Sequence, residues 1–164
     1  MRKWIAGVMS LVAISAVQAD FPGLDEWTVD QTIDPLTDDV RVTAGIGIAD
    51  GLQFMLQCSS GNFGAIIAPL KPEITMEFIT MDSSTQVSWR VDDIPAVTEE
   101  WSILPAKAGR KPVVINTNAD EMAMAVMNAN DRFVLRVHGI TGVFSVDDAA
   151  GYIQQVLDAC DIAY

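Results

Sequence analysis

The sequence predicts an α+β protein that is mostly β, an antiparallel β-sandwich or curled sheet with a C-terminal helix packed on it and one disulfide. Many short segments show the strand pattern, in which apolar and polar residues alternate. These predicted strands follow one another directly, with few helices between them, and this order is typical of antiparallel sheets. The only two cysteines, Cys58 and Cys160, lie on the apolar sides of a predicted strand and of the last predicted helix.

The first residues have the pattern of a secretory signal peptide. A basic start is followed by an apolar stretch over residues 5–17 and by a small-residue exit that ends at Ala19. We therefore expect a signal peptide over residues 1–19 and a single β-rich domain over residues 20–164, periplasmic or secreted after cleavage near Ala19. The apolar stretch is short for a membrane span and no second one follows, so we expect no stable membrane insertion after cleavage. An uncleaved anchor is the alternative.

The chain is strongly acidic. It carries 22 acidic and 10 basic residues, a net charge of −12, and loss of Arg2 and Lys3 with the signal peptide would make that about −14. This charge disfavours binding to nucleic acid and to anionic lipid surfaces, and it favours a cationic partner. A solvated acidic surface without a binding role explains the composition more simply.

The first half of the domain contains the clearest strands. Residues 20–39 are rich in Asp, Pro, Gly and Thr and predict an irregular lead-in pinned by Trp27. Alternation then predicts a strand over residues 40–49, and Asp50-Gly51 predicts a tight hairpin turn. The next strand, residues 51–58, places one set of side chains on a buried face: Leu52, Phe54, Leu56 and Cys58.

The same alternation predicts further strands, bounded by turns or prolines. They cover residues 63–68, 73–80, 85–92, 97–104, 113–116 and 132–138, with residues 139–144 as a strand or a turn. The total is eight or nine short strands.

Two helices complete the prediction. The first has Asn118 as its N-cap and Asp120 and Glu121 in its first turn, where the helix dipole favours acidic residues. The second has Ser145 as its N-cap, with Asp148 three residues on. Its apolar positions repeat at helical spacing: Ala149, Ile153, Val156, Leu157 and Cys160.

The strand and helix patterns together predict a disulfide between Cys58 and Cys160. Pairing is expected of two cysteines in an exported chain, because the compartments outside the cytosol are oxidising. A catalytic thiol is the alternative, but neither cysteine has a His or Lys nearby in sequence that would favour a thiolate.

The sequence predicts no catalytic residues, no cofactor and no transition-metal site. The single histidine, His138, follows a strand on its outward side, and one histidine with two paired cysteines supplies too few ligands for a tetrahedral site. Acidic residues are so numerous that a pair of glycosidase-like carboxylates could be chosen almost anywhere, so their presence does not indicate a glycosidase site. The acidic turn at Asp34, Asp38 and Asp39 lacks the ligand spacing of an EF-hand loop, so calcium binding there stays an open alternative to a simple turn.

Four residues are candidates for an interaction site: Trp89, Arg90, Asp92 and Trp101. Arg90 and Asp92 alternate on one predicted strand and therefore share a face, where they would form an ion pair or contact a ligand. Trp89 faces inward on the same strand, and Trp101 belongs to the following one.

An ordered set of motifs spans nearly the whole domain. It consists of Trp27, Asp34-Pro35-Leu36-Thr37-Asp38-Asp39, Leu56-Gln57-Cys58, Val87-Ser88-Trp89-Arg90-Val91-Asp92, Trp101, Phe144 and Val156-Leu157-Asp158-Ala159-Cys160. The set resembles the periplasmic accessory proteins associated with type VI secretion (TagO/VasI-like). That family tends to place a basic residue before the first cysteine, where this chain has Gln57. The resemblance implies an exported protein that binds another macromolecule of the bacterial envelope.

The expected function is that of an exported periplasmic binding or accessory protein without enzymatic activity, associated with a secretion system and with a protein partner in the envelope. Two alternatives stay open. The net charge and the small disulfide-closed β fold would suit an inhibitor of a cationic, lysozyme-like cell-wall hydrolase. Paired acids would suit an enzyme that acts on envelope glycans.

Overall fold

The computed structural model describes residues 25–48, 51–79, 83–106 and 110–164. The signal peptide predicted over residues 1–19 and Asp50 of the predicted turn lie outside them. Within them the chain forms nine strands: β1 Thr28–Ile33, β2 Val40–Gly47, β3 Leu52–Ser59, β4 Asn62–Pro69, β5 Ser84–Val91, β6 Val97–Leu104, β7 Val113–Asn116, β8 Arg132–Val137 and β9 Ile140–Ser145. It also forms three helices: α1 Pro72–Ile79, α2 Asp120–Met127 and α3 Ala149–Ala159. None of these helices has the length and apolar character needed to cross a membrane.

All nine strands belong to one antiparallel sheet in the order β1-β2-β3-β4-β7-β6-β5-β8-β9. β1 and β9 are therefore its two edges. The last two strands form a hairpin whose central residues, His138 and Gly139, have φ angles of 47° and 78°. Such positive values are what a type I′ turn requires. The sheet and the C-terminal helix confirm the predicted fold class.

The sheet curls so that its two halves pack against each other. The ring of Phe54 on β3 lies 4.8 Å, centroid to centroid, from that of Phe133 on β8, although the two strands are five places apart in the strand order. At the seam, Trp27 Nε1 donates a hydrogen bond of 2.8 Å to the backbone oxygen of Ser145, which ties the start of β1 to the end of β9. The concave face is consequently the core, and the convex face carries the exposed polar side chains.

Helix α3 closes the concave side. It packs on β2 and β3 and on α2, and its side chains Ile153, Val156 and Leu157 are fully buried. Cys160, at its C-cap, forms the predicted disulfide with Cys58 of β3, across a Cα–Cα distance of 5.7 Å and 102 residues of sequence. The disulfide is thus confirmed as the covalent link between the sheet and the C-terminal helix.

The strand predicted over residues 73–80 is wrong, because the described part of this segment is helix α1. Pro72 occupies the first helical position, where its fixed φ and missing N–H are tolerated. The Thr75 N–H bonds to the backbone oxygen of Lys71, as in the first turn of a helix. Ile74 and Phe78, four residues apart, are both buried on one helical face.

Two further details differ from expectation. Residues 28–33 were expected to be irregular, but they form β1 through regular antiparallel pairing with β2. The helix caps are also shifted: Ala119 and Asp148, rather than Asn118 and Ser145, are the N-caps of α2 and α3, and neither makes a side-chain capping bond.

Removing the disulfide should lower stability substantially. In the chain-entropy model, a bridge across about 100 residues contributes about 4–5 kcal/mol to the free energy of unfolding. We expect a Cys58→Ala/Cys160→Ala variant to unfold at a clearly lower denaturant concentration than the oxidised wild type, and reduced wild type to resemble the variant. Equal unfolding midpoints for oxidised and reduced protein would show that the bridge does not constrain the fold.

Candidate anion-binding cleft

The convex face of β5, β8 and β9 brings two arginines together. Alternation along β5 buries Trp89 and points its neighbours Ser88 and Arg90 to the outside. The strand register places Ser88 opposite Arg136, and Arg90 opposite Val134. Arg90 and Arg136 are therefore diagonal neighbours on one face, about 7–8 Å apart at their Cα atoms, which is within reach of two long side chains.

These side chains border a cleft of about 340 Å³. Its lining comprises Ser88, Trp89, Arg90, Ala96, Val134, Arg136 and Thr141. This lining contains two guanidinium groups, two hydroxyls, the side chains of Ala96 and Val134 and the largely buried Trp89, and it contains no carboxylate. In a protein of net charge −12, this cleft is a local concentration of positive charge.

Neither guanidinium is neutralised by the described chain. Arg136 donates its Nε–H to Thr141 Oγ1 at 3.0 Å, and this bond orients the side chain. Its two terminal nitrogens make no hydrogen bond to any described residue, and the same holds for all of the Arg90 guanidinium. Because arginine stays protonated in proteins, both groups offer N–H donors to an anion in the cleft.

Arg132, on the same strand and the same face as Arg136, provides the contrast. It forms ion pairs with Asp131 at 2.8 Å and with Asp93 at 3.1 Å. Its charge is thus compensated within the molecule. Arg90 and Arg136 therefore bring uncompensated positive charge to the cleft, whereas Arg132 does not.

Hydroxyl groups add donors beside the arginines. Ser88 Oγ and Thr98 Oγ1 lie 2.8 Å apart, and either can donate to the other. Whichever hydroxyl accepts this hydrogen bond can still donate its own hydrogen to another group. Thr141 Oγ1 accepts from Arg136 and likewise keeps its hydrogen for another acceptor. The cleft thus has a surplus of donors, which suits a ligand with several acceptor lone pairs.

The structure separates the four residues predicted for interaction. Trp89 and Trp101 are buried in the core, at 7% and 1% exposure. Trp101 Nε1 donates to Glu99 Oε2 at 3.0 Å, whereas Trp89 Nε1 has no hydrogen-bond partner among the described residues. Arg90 and the small exposed part of Trp89 border the cleft, whereas Asp92 and Trp101 are not in its lining. An interaction role for the four stays a prediction.

Asp92 holds a loop in place. It follows the end of β5 with a φ of 49°, and its carboxylate accepts the backbone N–H groups of Asn130, Asp131 and Arg132. These backbone hydrogen bonds hold the pKa of the Asp92 carboxyl below its usual value of 3.8. The carboxylate therefore fastens the loop before β8 to the end of β5, and it forms no ion pair with Arg90.

In the acidic turn after β1, two of the three carboxylates accept local hydrogen bonds. Asp34 Oδ1 accepts the backbone N–H groups of Leu36 and Thr37, and Asp39 Oδ2 accepts the Thr37 hydroxyl. These bonds are those of an Asx-type turn. Across the residues that the structure describes, no group of three or more His, Cys, Asp or Glu side chains is arranged to hold a metal ion.

Arg136 and Thr141 were not among the predicted site residues. The sequence feature that could have indicated Arg136 is its position on β8 between the buried Leu135 and Val137, because alternation then points Arg136 outward. Joining Arg136 to Arg90 requires the pairing of β5 with β8, and β6, β7 and α2 separate these strands in sequence. Comparison with known proteins adds no residue to the set: no family model matches the sequence, and no curated protein or solved structure is significantly similar to it.

The two buried indoles should respond differently to replacement. Trp89→Phe and Trp101→Phe remove the same ring atoms, but only the second takes a donor from Glu99, whose Oε2 would keep only the hydrogen bond from Asn116. We expect Trp101→Phe to lower the free energy of unfolding by about 1–2 kcal/mol more than Trp89→Phe. Denaturant titration of both variants measures the difference. An equal or larger loss for Trp89→Phe would contradict the assignment.

Asp92→Asn should change the pH dependence of stability. Because folding lowers the Asp92 pKa, the ionised carboxylate stabilises the fold above pH 3.8, and this contribution is lost as the pH falls through the folded pKa. Asn tolerates the positive φ. The difference in unfolding free energy between wild type and Asp92→Asn should therefore shrink as the pH falls below 3.8 and through the lowered folded pKa.

Asp93→Asn is the control, since this neighbouring carboxylate bonds one exposed arginine and no backbone N–H. Thermal unfolding of the three proteins across the pH range measures the effect. A constant difference between wild type and Asp92→Asn at all pH values would argue against a role for the ionised Asp92.

Proposed function

We propose that this chain is exported to the periplasm and acts there as a non-enzymatic accessory protein that binds a protein of the bacterial envelope. The observation that carries the proposal is the pair of uncompensated arginines, Arg90 and Arg136, on the exposed face of the sheet. Two like charges about 7–8 Å apart beside one cleft repel each other, and a bound anionic group would offset that repulsion.

Two observations support export. The bridge between Cys58 and Cys160 is of the kind that forms and persists in oxidising compartments such as the periplasm. The basic start and apolar stretch before Ala19 form a signal-peptide pattern. The two observations are independent, because one concerns the folded core and the other the first residues of the chain.

The chemistry of the cleft supports binding over catalysis. The arginine guanidinium stays protonated and therefore cannot act as a general base, and the hydroxyls of Ser88 and Thr141 border the cleft without a base beside them in its lining. Such groups hold an anion in place. Val143, opposite Val134 on the same convex face and 55% exposed, adds apolar contact area for a macromolecular partner.

Association with type VI secretion is the finer part of the proposal. It is supported by the motif resemblance, in which Arg90 belongs to the Val87–Asp92 motif and Cys160 to the C-terminal one. Under this proposal the envelope partner is a component of the secretion machinery, and the docking surface is the part of the convex face formed by the cleft and Val143.

Partner capture tests the proposal. The tagged full-length chain is expressed in the cells from which the sequence derives, cells are fractionated, and the periplasm is cross-linked. We expect the protein in the periplasm and a defined partner captured by wild type and by the Arg132→Gln control. We expect the Arg90→Gln/Arg136→Gln variant to lose most of that partner, because the charge that attracts it is gone.

Retention of the chain in the cytoplasm would refute export. Equal capture by wild type and by the double variant would refute the arginine face as the docking surface. Unfolding midpoints of the variants verify that they fold.

A second candidate function is inhibition of a cationic cell-wall hydrolase. Among the lysine and arginine side chains that the structure describes, only Arg132 forms an ion pair, so most of the acidic surface is uncompensated. Capture of such a hydrolase, with loss of its activity at low salt and independence from Arg90 and Arg136, would favour this function over the first.

A further inference from the structure

We propose that the arginine cleft binds the free C-terminal carboxylate of a peptide whose last side chain is small and apolar. The inference rests on the proposed function and names the ligand class of the same site. The lining in contact with such a ligand is Ser88, Arg90, Ala96, Val134, Arg136 and Thr141.

The charge and the hydrogen-bonding groups select an anion. Each guanidinium presents a fork of N–H donors that matches the two oxygens of a carboxylate. Arg136 is held by Thr141 through Nε alone, so its terminal N–H groups stay directed to other acceptors. Thr141 and the Ser88–Thr98 pair add free hydroxyl hydrogens. Every polar side chain in the lining can donate, and none brings a competing negative charge.

The apolar part of the lining favours a carboxylate that is attached to a small apolar group. Val134 and Ala96 lie beside the arginines. A fully hydrated anion such as phosphate would gain nothing from these side chains and would lose its water against them. An alanine-sized terminal residue would cover them while its carboxylate contacts the guanidinium groups.

The size of the cleft selects a chain end. A volume of about 340 Å³ is near the lower limit for a small-molecule site. One or two residues of a peptide fill such a volume, whereas a folded surface cannot enter it. The cleft lies on a convex face, so the preceding residues of the peptide have an open path along the sheet toward Val143.

The test compares a peptide acid with its amide. Acetyl-Ala-Ala with a free carboxylate, the same peptide with a C-terminal amide, and inorganic phosphate are titrated into the oxidised protein and followed by backbone NMR. We expect the acid to shift resonances of residues 88–90 and 134–141, and the amide to bind at least about tenfold more weakly because it lacks the charge.

Arg136→Gln and Arg90→Gln should each lower the affinity for the peptide acid about tenfold or more. The matched control Arg132→Gln should change that affinity less than about twofold. Phosphate bound as tightly as the peptide acid would overturn carboxylate selectivity. Equal binding of acid and amide, or no shifts with any of the three ligands, would overturn the inference altogether. If the partner is still captured through Arg90 and Arg136 in that case, the proposed function stands and only the ligand class fails.

Discussion

Packing of the Phe54 ring against rings from the other half of the sheet is the contact on which this architecture depends. A nine-stranded sheet has an apolar face that is too wide for three short helices to cover, so it buries that face by curling. Phe54 contacts Trp27, Phe133 and Phe144, which come from both edges of the strand order. The same curl exposes the convex face, on which Arg90 and Arg136 stand in solvent rather than in a core.

Local patterns were sufficient wherever the direction of a side chain is decided by its own element. Alternation in β3 placed Cys58 inward, and helical spacing in α3 placed Cys160 inward, so the disulfide could be predicted without knowledge of the strand order. Periodicity failed over residues 73–80 because the apolar residues there satisfy both a strand and a helix. Ile74 and Phe78 lie four residues apart, a spacing compatible with both, and Pro72 favours the helix.

The candidate cleft could be predicted only in part, since it is assembled by strand pairing. Arg90 was recognised as an outward residue, but its neighbour is Arg136, 46 residues further along the chain and on a strand that reaches β5 only through the sheet register. Asp92 was expected beside Arg90. A positive φ turns the backbone at that position, and three backbone N–H groups bind its carboxylate instead. Neither the pairing of β5 with β8 nor the turn at Asp92 produces a periodic pattern in the sequence, so neither could be predicted from it.

The seam of the sheet has a consequence for the order in which the molecule is made. The Trp27–Ser145 bond joins residues 118 apart and the disulfide joins residues 102 apart. Hairpins such as β2–β3 can form as soon as their residues leave the ribosome, but the core cannot close before residues 145–160 are present. Synthesis from the N-terminus thus produces a chain that stays loose until late. A loose chain is the form that can be threaded through a membrane pore, so this topology is compatible with the export proposed above.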